Sequence, residues 1–193
     1  MGELIMLFVG AALVNNFLLS RFLGICPFLG VTRELKSALS MGGAVTFVML
    51  VTGLVVWPLQ HYVLDPLGLG FLQTVAFILI IAVLVQLLEM FIRKMSPALY
   101  EAFGIYLPLI TTNCAILGLA LLVVGEGFTL AQTLIFALGS AAGYTLAMLM
   151  MAGIRQEMEF ADVPQAFQGT AISLLIAGLM ALAFLGFGGL NVA

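Results

Sequence analysis

Polar residues along this chain are few and grouped, and the stretches between them are apolar on every side rather than along one stripe. A helix that is hydrophobic all round is either buried in a large core or spans a membrane. Crossing a bilayer takes about 20 predominantly apolar residues, and six stretches provide them: 5–31, 39–57, 71–91, 103–124, 129–152 and 169–190. The connections are too short for a soluble domain. The pattern therefore predicts an all-α integral membrane protein with six transmembrane helices in a single membrane domain, 1–193.

Composition narrows this further. Of 193 residues, 64% are hydrophobic and 8% charged, whereas soluble domains carry about 25% charged residues. A net charge of −3 with no basic cluster argues against a nucleic-acid partner; the surroundings are membrane lipid. Met1-Gly2-Glu3 lacks the positive start of a secretory signal, so the first apolar segment is expected to be retained. Arg33 and Lys36 lie in the first loop, Arg93 and Lys94 in the third and Arg155 in the fifth, which accounts for five of the six basic residues. Short positive loops face the cytoplasm, so both termini are expected outside.

The two halves of the chain echo one another. Ser40-Met41-Gly42-Gly43 is matched by Ser140-Ala141-Ala142-Gly143, and Phe71-Leu72-Gln73-Thr74 by Phe167-Gln168-Gly169-Thr170. With three spans per copy, the second copy enters from the opposite side. This predicts two inverted three-helix repeats, about 1–95 and about 96–193, related by an axis in the membrane plane.

The strongest echo holds the two cysteines. Gly24-Ile25-Cys26-Pro27-Phe28-Leu29-Gly30-Val31 and Thr112-Asn113-Cys114-Ala115-Ile116-Leu117-Gly118-Leu119 share Cys-x-x-Leu-Gly-aliphatic, 88 positions apart. Both sit among helix breakers. Pro27 disfavours helical geometry at Cys26, and Pro108 with Thr111-Thr112-Asn113 precedes Cys114. The first and fourth spans are thus expected to be broken, with the working site at the breaks. Cys114 lies 11 residues into its span, near the midplane, but Cys26 lies 21 residues into its own. Matched depths require an interruption near 24–27.

Two thiolates are half of what zinc or an iron–sulfur cluster takes. No His or acidic residue repeats with the cysteines, so a partner would supply the rest. The competing reading makes each Cys a small apolar packing residue. Arg21, inside the first span, either balances an anionic cluster or reaches a polar interface or a partner chain. Glu89 and Arg93 have the spacing of a helical ion pair, and Asn15 and Asn16 are expected to donate between helices. Trp57, His61 and Tyr62 read as an interfacial belt. A proton-relay role for His61 would need a carboxylate partner, which the adjoining spans do not offer.

The runs Cys-Pro-Phe-Leu-Gly-Val and Leu107-Pro108-Leu109-Ile110-Thr111-Thr112-Asn113-Cys114-Ala115 resemble a specific family. It is the RnfA/NqrE family, which holds the A-type membrane component of the Rnf electron transport complex and the E-type component of the sodium-pumping NADH:quinone reductase. Val14-Asn15-Asn16-Phe17, Val85-Gln86-Leu87-Leu88-Glu89-Met90, Asp162-Val163-Pro164 and Ala177-Gly178-Leu179-Met180 extend the likeness over the whole chain. Pro27 and the short second loop favour the Rnf branch. The resemblance implies a bacterial inner-membrane protein with periplasmic termini, in a complex moving electrons between ferredoxin and NAD and translocating Na+ or H+. It further implies a [2Fe–2S] cluster shared with a homologous partner of opposite orientation, the E-type component of the Rnf complex. In this chain its ligands would be Cys26 and Cys114, with Arg21, Thr112 and Asn113 around them, and helix N-termini would offset its negative charge. Other Rnf subunits would carry flavin and iron–sulfur centres. The rival readings are a secondary ion carrier or channel component with structural cysteines, and a purely structural membrane component.

Overall fold

The structure is a computed structural model that describes residues 2–68, 70–95, 107–164 and 167–189. All regular structure in these residues is helical. The first apolar stretch is not one helix. It opens as α1, Gly2–Val9, passes into a π-helical turn, Gly10–Val14, and loses helical geometry until α2, Ile25–Val31. The second stretch, α3, Leu35–Leu59, overruns its expected end at 57 and continues as a π-helical turn, Gln60–Leu64. Pro58 lies inside the helix and does not stop it. Then come α4, Gln73–Met95; α5, Leu107–Thr111; α6, Cys114–Gly125; α7, Leu130–Met158; and α8, Thr170–Leu185.

Among the described residues, four stretches are long and apolar enough to cross a membrane: Leu35–Leu64, Gly70–Met90, Pro108–Gly125 and Leu130–Met158. Gly2–Val14 and Thr170–Leu185 are shorter apolar helices. Positions 103–106 of the fourth expected span and 190 of the sixth lie outside the described residues.

The centre of the bundle is the antiparallel pair α3 and α7. Gly42 faces Thr145 and Gly53 faces Thr133; a Cβ at these glycines would lie 2.5 Å and 3.2 Å from the threonine Cγ2 atoms. Such close approach through small residues is how membrane helices gain packing energy without a hydrophobic drive. α1 lies along α7 on Gly139 and Gly143, which press on the backbone of Phe8 and Ala12. Where the first stretch stops being helical, the buried Asn16 takes over. Its Nδ2 donates to the Gly143 carbonyl at 2.8 Å, and its Oδ1 accepts from the N–H groups of Leu18 (3.0 Å) and Leu19 (3.4 Å). The expected helix–helix donor is therefore also the group that satisfies backbone freed by the break.

Each half of the chain reaches into the other. α1 packs on α7, and α6 packs on α3. Arg155, near the end of α7, donates to the Leu29 carbonyl at 2.9 Å and to Thr32 Oγ1 at 3.0 Å, holding the last turn of α2. Trp57, near the end of α3, donates to the Phe128 carbonyl at 2.7 Å, just past α6. These contacts also sort the ends of the bundle. Arg33 and Arg155 line one cavity, and Arg93 and Lys94 close α4, whose Phe77 packs with Val56 toward the opposite end. Glu3 and Glu126 line a cavity together at that opposite end.

Candidate functional site

The site forms where the two broken stretches meet. The first break covers 15–24, longer and earlier than the interruption expected near 24–27. It contains two left-handed residues, Phe22 at φ 54° and Gly24 at φ 87°. For Phe22 this conformation costs roughly 1–2 kcal/mol. Gly24 has a further reason to be glycine: a Cβ there would lie 2.7 Å from Tyr144 Cε2 and 3.1 Å from Asn113 Oδ1. Without one, its backbone comes close enough for the N–H to donate to Cys114 Sγ at 2.8 Å.

α2 begins immediately after Gly24, so Cys26 is its second residue and is helical. This corrects the expectation that Pro27 keeps Cys26 out of the helix. Proline is tolerated in the first turn, where its missing N–H would have had no intrahelical partner. The second break is Thr112-Asn113. Asn113 is extended, caps α6 and accepts the Ala115 N–H at 3.0 Å on Oδ1, which leaves Cys114 as the first residue of α6.

The two cysteines thus open two short helices that abut through the Gly24–Cys114 bond. Cys26 is exposed on the flank of the bundle and Cys114 is half-buried. Cys26 is therefore not packed inside this chain. Among the described residues, no group of three or more His, Cys, Asp or Glu side chains converges. The pair could offer two soft side chains to a metal centre, with Cys26 the more open of the two.

The remaining candidates separate. Thr112 is exposed, and its hydroxyl donates to the Pro108 carbonyl at 2.9 Å within its own turn. Arg21 is exposed and lines, with Asn15, Glu3 and Glu126, a cavity of about 460 Å³ whose walls include neither cysteine. His61 stacks on Trp57 at 5.5 Å between ring centres, and its Nδ1 lies 4.0 Å from Asp65 Oδ2. A carboxylate partner therefore does exist, one turn on, just past the π-helical turn that follows α3. Both side chains are exposed, however, and such a pair contributes little. Glu89 and Arg93 lie one turn apart on α4.

Sequence reasoning missed Tyr144. It lies wholly buried on α7, against Gly24 and beside Asn113. The signal available was a phenol deep in an apolar run, since a buried hydroxyl needs a partner.

Comparison with known proteins matches this chain from end to end. The family described as "Rnf-Nqr subunit, membrane protein" matches residues 4–191. The chain is similar to the A-type component of the "Ion-translocating oxidoreductase complex" of Syntrophotalea carbinolica, 57% identical over 190 residues that cover 98% of each chain. It is 55% identical over 189 residues, again 98% of each chain, to the A-type component of the "Na(+)-translocating ferredoxin:NAD(+) oxidoreductase complex" of Acetobacterium woodii. The A-type component of the "Ion-translocating oxidoreductase complex" of Serratia proteamaculans is 53% identical over 190 residues, also 98% of each chain. With nearly all of its length matched, the chain belongs to the Rnf-Nqr family of membrane subunits.

Proposed function

We propose that this chain is the A-type membrane component of an ion-translocating ferredoxin:NAD oxidoreductase complex, and that it passes electrons through a [2Fe–2S] cluster shared with a partner chain. The observation that carries this is the position of the cysteines. Two thiols sit at the abutting starts of α2 and α6, one of them exposed on the flank.

When bound there, the cluster supplies one-electron transfer. The protein's part is to hold sulfur in place and to favour negative charge on it. Cys114 stands at the N-terminus of the twelve-residue α6, whose positive dipole end favours an anion, and it accepts a hydrogen bond from Gly24. Cys26, facing outward, would complete half of a four-thiolate set. The other half would come from a homologous chain of opposite orientation, whose own paired cysteines would face this flank. Further subunits with flavin and iron–sulfur centres would feed and drain electrons, with Na+ or H+ translocated by the complex.

Six spans in two inverted repeats suit this role. In that arrangement α2 and α6 are corresponding half-helices, and the reciprocal ties by Arg155 and Trp57 are what such a repeat would produce. The end bearing Arg33, Arg93, Lys94 and Arg155 would face the cytoplasm, leaving both termini in the periplasm of a bacterial inner membrane.

The test is to purify the chain alone and with its partner, and to measure iron, acid-labile sulfide and the EPR spectrum. Alone it should hold little iron; the pair should hold about two irons, as a [2Fe–2S] centre requires. Cys26→Ser or Cys114→Ser should abolish the signal while the complex still assembles. Zinc without iron in the wild-type pair, or full electron transfer in both serine variants, would overturn the proposal.

A further inference from the structure

Tyr144 heads the largest side chains that are fully buried, and its hydroxyl has no hydrogen-bond partner among the described residues. The neighbouring Asn113 Nδ2, also buried, has none either. The Asn113 amide lies beside the Tyr144 phenol, but its Oδ1 is engaged by the Ala115 N–H at the start of α6, so it can offer the phenol oxygen an N–H and cannot take the phenol proton. That proton is left without an acceptor in an apolar interior. A phenylalanine would fill the same volume without burying a hydroxyl. Orphaned buried donors are rare and mark either strain or a group that binds in their place.

The Tyr144 ring rests against Gly24, whose N–H donates to Cys114 Sγ at 2.8 Å, which puts the phenol on the same side of the site as that sulfur; within this chain alone the hydroxyl makes no bond to it. We propose that the Tyr144 hydroxyl donates a hydrogen bond to the sulfur at the Cys26–Cys114 site and, with Asn113 Nδ2 and the Gly24 N–H, sets the reduction potential there. This rests on the cluster reading above. Donors to sulfur disperse negative charge, so they stabilise the reduced form, which holds one more electron, over the oxidised one. No proton is transferred; Tyr144 acts by orientation alone.

The experiment compares the wild-type complex with Tyr144→Phe, reading iron content, the EPR-monitored midpoint potential and the coupling of exchangeable deuterons to the cluster after transfer into D2O. The expected result is unchanged iron, a more negative midpoint and the loss of one deuteron coupling. A Tyr144→Phe complex with the wild-type potential and couplings overturns the inference and leaves the cluster reading intact. A wild-type complex with no cluster signal dependent on Cys26 and Cys114 overturns that reading, and the inference with it. If Tyr144→Phe fails to assemble, 3-fluorotyrosine placed at 144 decides. As a stronger donor of nearly the same shape it must raise the midpoint, and an unchanged midpoint overturns the inference.

Discussion

The backbone N–H of Gly24 donates to Sγ of Cys114 at 2.8 Å, joining residues 90 positions apart. The donor belongs to the main chain, so no side-chain substitution removes it directly. It depends on two things: Gly24 holding φ at 87°, and the absence of a Cβ that would collide with Tyr144.

Gly24→Ala should therefore disturb the site as well as the fold. The left-handed conformation costs about 1–2 kcal/mol for a residue with a Cβ, and overpacking against Tyr144 adds roughly 1–3 kcal/mol. Thermal unfolding in detergent should move down accordingly, and iron recovered with the partner should fall. Gly30→Ala in α2 is the control, because its nearest obstacle is Leu109 Cδ1 at 4.0 Å. It should leave both readings near wild type.

Arg155→Met should destabilise by about 1–3 kcal/mol by leaving the Leu29 carbonyl and Thr32 hydroxyl without their donor. Trp57→Phe, which keeps a ring but loses the bond to Phe128, should cost about 1 kcal/mol. The two ties lie at opposite ends of α3 and α7, so the double variant should equal the sum within about 0.5 kcal/mol. Denaturant midpoints in mixed micelles would measure all three.

Gly143→Leu should push α1 off α7, since even a Cβ at Gly143 meets the Ala12 backbone. The Asn16–Gly143 bond would then be lost. Hydrogen–deuterium exchange at 10–19 should accelerate strongly, with little change at 114–125. Unchanged exchange would contradict the packing of α1 on Gly143.

Reporter fusions after residues 34 and 160 should be active in the cytoplasm, and fusions after 68 and 127 outside it. The motive is the gathering of Arg33, Arg93, Lys94 and Arg155 toward one end.

The breaks were legible in the sequence because they need particular residues: Gly24, Asn113 and a proline near each cysteine. Their extent was not. Phe17, Leu18 and Leu19 read as part of a span, yet they are buried non-helical residues, apolar because they face protein. Hydropathy reports the surroundings of a side chain and says nothing about its backbone. Pro27 misled for a related reason: its effect depends on where the helix begins, which Gly24 decides. Tyr144 escaped notice because periodicity registers burial and does not register a missing partner.

The tie between Arg155 and Leu29 has a consequence for synthesis. α2 has seven residues, about 10 Å of helix at 1.5 Å per residue, far too short to span a bilayer unaided. The donor that secures its far end is 126 positions downstream. At about 5–20 residues per second, the ribosome leaves α2 without that anchor for roughly 6–25 s. The far end of the segment that carries Cys26 therefore gains this anchor only once α7 has been threaded, long after the segment itself has been made.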